Sequence, residues 1–211
     1  MSITVKLKRI LRGIRHLLEF AFLEYPRGLD FSLRKKSSGI SLVGSHGYAL
    51  TSKPALSEML ARIDYNDKTF LDIGSGKGGA IVFAHQLGCG RSAGIEFETQ
   101  LHEIALKNID ILQLSDSCTS FNLDARAFKE YADYDIYFMF NPFEDNIYKE
   151  VIDAIVVQNT TFDVTGPKYL ICYGGANIDA VISHSCFRLI EHGVCRYRLN
   201  DFWIFAMNPN Q

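Results

Sequence analysis

From residue 68 to the C-terminus, short apolar runs alternate with amphipathic stretches, a pattern that predicts strands alternating with helices. Predicted strands fall at 69–74, 91–97, 119–125, 134–140 and 168–175, and predicted helices at 78–88, 98–114, 146–159 and 177–185. The tail, residues 187–208, reads as two strands joined by a polar hairpin. Regular strand–helix alternation predicts an α/β fold, in which a doubly wound, mostly parallel sheet ends in an antiparallel pair.

The first part of the chain has a different pattern. Residues 3–24 carry apolar residues at helical spacing, and "YPRG" at 25–28 ends the predicted helix. Residues 29–52 are polar and dotted with glycine, which predicts a long loop or arm. A further helix begins with Pro54 in its first turn. We therefore divide the chain into an N-terminal helix and arm, 1–52, and a main domain, 53–211.

Basic residues cluster in the first half of the predicted helix 3–24. They are Lys6, Lys8, Arg9, Arg12 and Arg15. Two interpretations stay open: a helix that caps the domain or forms a dimer contact, and a basic amphipathic helix that docks on a membrane surface or a partner.

Composition bounds the function only loosely. The 211 residues carry a formal charge of −2, which gives no strong signal for nucleic-acid binding. Five cysteines without a C-x-x-C spacing predict reduced, small apolar side chains and no metal site. We expect a cytoplasmic protein, with peripheral attachment to the inner face of the membrane if the basic helix binds lipid.

A glycine-rich loop, "LDIGSGKGG" at 71–79, follows the first predicted strand. A triphosphate-binding loop would need Ser or Thr after Lys77, but Gly78 stands there. A dinucleotide loop is satisfied by Gly74, Gly76 and Gly79. A third interpretation takes Asp72, Gly74, Gly76 and Gly78 together, so that a carboxylate precedes the glycines. We expect the side chain of Lys77 to point to solvent.

The third interpretation favours a ligand with a cation beside Asp72, such as the ammonium of S-adenosylmethionine (SAM), because a pyrophosphate would be repelled there. Glu96, at the end of the second strand, has acceptor oxygens for two ribose hydroxyls. Asp124, at the end of the third, is placed to meet an adenine amino group. The carboxyl ends of successive parallel strands are where open α/β sheets bind ligands, which supports a nucleoside site.

The fourth strand ends in Asn141-Pro142-Phe143. Proline fixes the turn, so the asparagine oxygens are held in place to accept hydrogen bonds from an amine. The phenylalanine ring offers an apolar face. No strong general base is evident. His46 is a candidate because of its position on the arm, whereas His85 and His102 lie in predicted helices and read as structural.

Together, "FLDIGSGKGG", "AGIEFE", "NLDA" and "YFMFNPF" resemble the ordered motifs of class I, seven-strand SAM-dependent methyltransferases, over about residues 48–207. The layout also resembles a small, mostly uncharacterised bacterial group with D-x-G-x-G-K-G and N-P-F motifs. "NPF" is similar to the [DN]-P-P-[YFW] element of amino-methyltransferases, without the second proline. The loop alone is similar to that of the non-SET histone-lysine methyltransferases.

The resemblance implies a seven-stranded Rossmann-like sheet with an antiparallel last strand. It also implies SAM as cofactor and S-adenosylhomocysteine as product. The cofactor-binding residues it implies are Asp72, Gly74, Ser75, Gly76, Gly78, Glu96, Asp124, Ala125 and Asn141. It implies that Asn141, Pro142 and Phe143 position the acceptor, and that Tyr48 and Thr51 close the pocket.

The expected activity is transfer of a methyl group by in-line displacement to an amine nitrogen, on a protein lysine or a small molecule. Two alternatives stay open at this point: an NAD(P)-dependent oxidoreductase and a non-catalytic SAM-binding regulatory module.

Overall fold

The computed structural model describes residues 14, 18, 20–33, 48–142, 144–161, 166–174, 177–197 and 199–208. Its strands are β1 Phe70–Ile73, β2 Ser92–Glu96, β3 Cys118–Asn122, β4 Ile136–Phe140, β5 Lys168–Tyr173, β6 Phe187–Val194 and β7 Asp201–Met207. Its α-helices are α1 Lys53–Leu60, α2 Gly79–Leu87, α3 Thr99–Ile111, α4 Asp145–Thr161 and α5 Ile178–Ile182. Short 3-10 turns occupy Ala125–Ala127 and Tyr131–Asp133.

The strands form one sheet in the order β3-β2-β1-β4-β5-β7-β6. Strands β1 to β5 pair in parallel, and β7 runs antiparallel to both of its neighbours. The predicted doubly wound sheet with an antiparallel last strand is confirmed. The chain winds outwards from β1 in one direction and from β4 in the other. The carboxyl ends of β1 and β4 therefore form the switch point at which such sheets bind ligands.

Both faces of the sheet are covered, as parallel strands require. Strand β4 shows this best, because its successive side chains enter different cores. Ile136 and Phe138 pack in a core with α1 and α2, whereas Tyr137 and Met139 pack in a core with α4. This double burial explains why β4 reads as an unbroken apolar run in the sequence.

The N-terminal segment is described in part. Residues 14 and 18 are helical, 20–24 form a π-helical turn and 25–27 a 3-10 turn. Gly28, in the left-handed conformation, ends the turn as "YPRG" predicted. The rest of the predicted helix 3–24 lies outside the described residues, as does 34–47, which includes His46.

The described part of the predicted arm is packed against the domain. Leu29 and Phe31 are buried in a small core with Ile81, Val82 and Ile109. The arm is therefore attached to α2 and α3, immediately beside the glycine loop.

All five cysteines are buried and unpaired, in agreement with the predicted reduced, apolar role. A helix with the length and hydropathy to cross a bilayer does not occur within the described ranges.

Candidate active site

The glycine loop lies at the carboxyl end of β1, at the switch point of the sheet. The backbone N–H groups of Gly74 and Ser75 both donate to the carbonyl of Ile95 on β2, each at 2.9 Å. Gly74, Gly76 and Gly78 all have positive φ, which a residue with a Cβ adopts only at a cost. The spacing of the three glycines follows from this repeated left-handed backbone.

Two close approaches add a second reason for glycine in the loop. A Cβ on Gly74 would lie 2.5 Å from the Cβ of Pro142. A Cβ on Gly76 would lie 2.4 Å from the Cδ2 of Tyr48. The loop is therefore in direct contact with the Asn141-Pro142 turn on one side and with the Tyr48 ring on the other.

Asp72 is buried on β1, directly before the loop, with 4% of its surface exposed. Burial, and to a lesser extent the charge of Glu96, raise the pKa of Asp72 to about 8. Ionising this carboxyl is costly in the free protein, and a cation beside it would remove the cost. The position therefore suits a positively charged ligand group and disfavours a pyrophosphate.

Glu96, at the end of β2, is tied to the loop by its side chain. One carboxylate oxygen accepts from Gly76 N and the other from Glu98 N, both at 2.7 Å. Burial raises the pKa of Glu96, while these backbone hydrogen bonds act in the opposite direction. A carboxylate has about four acceptor positions, so two remain for a pair of ligand hydroxyls.

Asp124 lies two residues beyond β3, at the start of the 3-10 turn 125–127. Its carboxylate accepts from Arg126 N at 2.9 Å and forms an ion pair with the Arg126 guanidinium at 2.6 Å. Hydrogen bonds from Arg126 lower the pKa of Asp124. The neighbouring Ala125 is buried, and its carbonyl accepts from the hydroxyl of Tyr131 at 2.8 Å.

Asn141 directly follows β4 and has a φ of 41°, in the left-handed region that asparagine tolerates better than most residues. A Cβ on Gly174 would lie 3.5 Å from the Cβ of Asn141, so Asn141 is close to the end of β5. Pro142 is buried against the glycine loop. Phe143 lies outside the described residues.

Of the two residues predicted to close the pocket, Tyr48 borders the loop. Tyr48 covers Gly76, and its hydroxyl donates to the carbonyl of Phe31 at 2.5 Å. Thr51 is buried just before α1. Ser75 contacts the sheet, since a Cβ on Gly94 would lie 2.5 Å from the Ser75 hydroxyl oxygen, which is buried without a hydrogen-bond partner.

The expectation that Lys77 points to solvent is wrong, because its side chain is completely buried. The ammonium donates to a carboxylate oxygen of Asp30 at 2.5 Å and to the carbonyl of Leu33 at 2.7 Å. It also lies 5.4 Å from the centre of the Tyr48 ring, at cation–π distance. Lys77 therefore ties the glycine loop to the N-terminal segment.

Sequence reasoning missed the partners of Lys77. Asn108 on α3 accepts from Asp30 N at 2.9 Å, and donates to the carbonyls of Asp30 at 3.0 Å and Lys77 at 3.1 Å. Glu24 accepts from the backbone of Phe31 and Ser32 at 2.7 and 2.9 Å, so the turn carrying Asp30 has a fixed shape. Asn108 is a polar residue on the buried face of α3. A buried polar residue needs hydrogen-bond partners, and this was the signal in the sequence that could have identified its role.

We predict that Lys77→Met destabilises the protein by about 1.5–3 kcal/mol, because charged hydrogen bonds of a buried group are lost. The free energy of unfolding in urea measures this, and SAM affinity should fall with it as the loop loses its anchor. Lys53→Met is the matched control, because the Lys53 ammonium donates to Gln86 at the surface. Equal stability of the two variants would contradict the anchoring role.

The two helical histidines have structural partners. His85 Nδ1 is 3.1 Å from the carbonyl of Gly90, and His102 Nδ1 is 2.9 Å from the hydroxyl of Ser120. Burial lowers the pKa of His102. Their expected structural role agrees with these contacts.

The residues of the site fit a ligand that combines a cation with neighbouring hydroxyls. Asp72 is a buried carboxylate that an ion pair would stabilise, and Glu96 has acceptor positions to spare at the edge of the loop. Glu96 lies close enough to Asp72 for its charge to raise the pKa of Asp72. Two acids placed in this way would repel a dinucleotide pyrophosphate. The arrangement therefore favours a SAM-type ligand over NAD(P).

In a comparison with protein families, the model described as "Histone methylation protein DOT1" matches residues 41–170. A search of functionally curated proteins found no significant match.

Solved structures with the same fold include several methyltransferases. An RNA methyltransferase from Salinibacter ruber in complex with S-adenosyl-L-homocysteine has 14% identity and a TM-score of 0.60, covering 75% of this chain and 94% of that chain. The putative methyltransferase yhhF from Escherichia coli has 15% identity and a TM-score of 0.58, covering 77% and 93%. The ribosomal protein L11 methylase from Lactobacillus delbrueckii subsp. bulgaricus has 13% identity and a TM-score of 0.58, covering 79% and 82%.

Proposed function

The chain belongs to the DOT1 histone methylation protein family, and on that premise we propose that it transfers a methyl group from SAM to an amine nitrogen, with a protein lysine as acceptor. A methyltransferase with the Rossmann-like fold and SAM as cofactor follows from the family and the fold. The nature of the acceptor is the part that we propose.

We assign the cofactor to the edge formed by the ends of β1, β2 and β3. Asp72 would pair with the ammonium of the methionine part, and the glycine loop would let the backbone approach it closely. Glu96 would accept from the ribose hydroxyls. Asp124 would meet the adenine amino group, with Arg126 holding the carboxylate in a fixed orientation.

When bound, SAM supplies a methyl group on a positively charged sulfur, and the leaving group needs no proton. The chain's main task is therefore to hold the acceptor in line, and good positioning can lower a barrier by roughly 7–11 kcal/mol. Pro142 packs on Gly74, so an acceptor held by Asn141 lies beside the loop assigned to the methionine part. This contact is the observation that carries the proposal.

Asn141 can act on an amine through two oxygens, those of its side chain and of its backbone. Both accept hydrogen bonds, so they suit an amine, which has two N–H groups to donate, and they direct its lone pair away from themselves. Asparagine does not remove a proton, so the amine must arrive deprotonated. A protein lysine is favoured as its source by the family, whose described activity is methylation of a protein.

Transfer of label from methyl-tritiated SAM tests the acceptor class. We expect the purified chain to label the protein fraction of a lysate from which small molecules have been removed, and acid hydrolysis to release labelled methyl-lysine. Asp72→Asn protein serves as the inactive control. Label confined to nucleic acid or lipid, or label that appears only when the small molecules are returned to the lysate, would contradict the lysine proposal. A chain that binds SAM but labels no fraction would favour the non-catalytic alternative.

A further inference from the structure

The described residues of the N-terminal segment include a group of exposed apolar side chains. Ile14 and Leu18 are each 50% exposed, Phe22 is 74% exposed and Leu23 is 58% exposed. We call these four residues the N-terminal apolar surface. Single exposed apolar residues are ordinary, but several within ten residues of one segment indicate an interaction surface.

The same segment carries a net positive charge, whereas the rest of the chain carries a net negative charge. Five of the 22 basic residues and none of the 24 acidic residues lie within residues 1–18. The first eighteen residues therefore have a formal charge of +5, and the remaining 193 have −7. By net charge, the first eighteen residues are attracted to a negatively charged surface, whereas the rest of the chain taken together is repelled by it.

We infer that residues 3–24 bind the surface of an anionic lipid bilayer, inserting the N-terminal apolar surface among the acyl chains while Lys and Arg contact the headgroups. Basic residues beside aliphatic and aromatic ones are the composition of helices that lie in the interface of a membrane. Each Lys or Arg near an anionic leaflet strengthens binding roughly five-fold.

A second copy of the chain fits this surface less well. A symmetric dimer brings the same patch of both molecules together, so two segments 3–24 would meet, each with a formal charge of +3 once Glu19 and Glu24 are counted. Like charges at an interface weaken association, whereas an anionic bilayer offers charges of opposite sign and an apolar interior. Charge complementarity therefore selects the lipid surface.

The surface is also joined closely to the cofactor site. Glu24 follows Leu23 in the chain, and its carboxylate holds the backbone of Phe31 and Ser32. Asp30, in the same turn, forms the ion pair with Lys77 of the glycine loop. If the N-terminal apolar surface binds a bilayer, these contacts hold the cofactor loop near the membrane surface.

Sedimentation with lipid vesicles tests the inference on the full chain. Vesicles of phosphatidylcholine alone are compared with equimolar phosphatidylcholine and phosphatidylglycerol. We expect at least ten-fold tighter binding to the anionic vesicles, weakened by raising the salt to about 0.5 M, which shortens the screening length. The double variant F22S/L23S should lose at least ten-fold in this binding. Arg12→Glu combined with Arg15→Glu should lose as much.

Matched controls keep the test specific. Val157→Ser removes an apolar side chain that is 61% exposed on α4, and Lys107→Glu with Lys149→Glu reverses two exposed charges elsewhere. These variants should bind the vesicles as the unaltered protein does. SAM affinity, measured without lipid, checks that every variant is folded. This measurement does not depend on the acceptor proposed above.

Two results would overturn the inference. One is equal binding to both vesicle types with no effect of salt. The other is no vesicle binding together with a dimer, seen by analytical ultracentrifugation, that F22S/L23S abolishes. That outcome would assign the N-terminal apolar surface to a second copy of the chain.

Discussion

We expect Asp72→Asn to weaken SAM binding about 100-fold, since the charged hydrogen bonds and ion pair made by a buried carboxylate are lost together. Asparagine keeps the shape of the side chain, so the loop should retain its conformation. Isothermal titration calorimetry with SAM and with S-adenosylhomocysteine measures the effect. Asp110→Asn, at an exposed position of α3, is the matched control and should bind as the unaltered protein does.

The pH dependence of stability provides a second test of the Asp72→Asn variant. The pKa of Asp72 is raised to about 8, above the unfolded value of about 3.9. Between these values the folded protein holds a proton that the unfolded chain has lost, so this group lowers stability as pH rises to about 8. Asp72→Asn should remove that decline and be the more stable protein near pH 8 without ligand.

The affinity for SAM should change with pH in the opposite direction. A cation binds the ionised carboxylate, so SAM binding to the unaltered protein should strengthen as pH rises towards about 8. In Asp72→Asn this rise should be absent. Equal SAM affinity of the two proteins at every pH would sink the assignment of Asp72 to the cofactor.

The second large effect is expected at Asn141. Removal of its side chain should lower kcat about 100-fold, the cost of misplacing a reacting group by about 1 Å. SAM affinity should change less than three-fold. Asn141→Gly is the preferred variant, because glycine accepts the φ of 41° without strain, whereas alanine would add a backbone cost. Steady-state kinetics and calorimetry on the same preparation separate the two effects.

Asn141→Ala, compared with Asn141→Gly, separates the side chain from the backbone. Both variants lack the amide, so equal kcat values would assign the effect to the side-chain oxygen. A much lower value for alanine would show that the turn conformation matters as well. If SAM affinity falls as far as kcat in both, Asn141 belongs to cofactor binding and its proposed role towards the acceptor is wrong.

Local sequence signals were sufficient for the sheet. Unbroken apolar runs mark the buried parallel strands, since side chains on both faces of β4 enter a core. Asp72, Glu96 and Asp124 could be placed at one edge from chain order alone, because the carboxyl ends of parallel strands share that edge. The glycine spacing predicted a tight loop, although not which residues would lie against it.

The partners of that loop depend on contacts between residues far apart in the chain. Lys77 looks like a solvent-facing residue of a polar turn, yet it is buried against Asp30, 47 positions away, and Asn108 joins both to α3. Local spacing carries no information on such pairings, which form only when the N-terminal segment packs on α2 and α3. The sequence by itself determined the sheet and its acidic edge, because hydrophobic period and chain order fix both. Only the tertiary structure decided that the N-terminal segment anchors the cofactor loop. Burying a charged lysine is costly unless acceptors surround it, and for Lys77 those acceptors come from a part of the chain more than forty residues away.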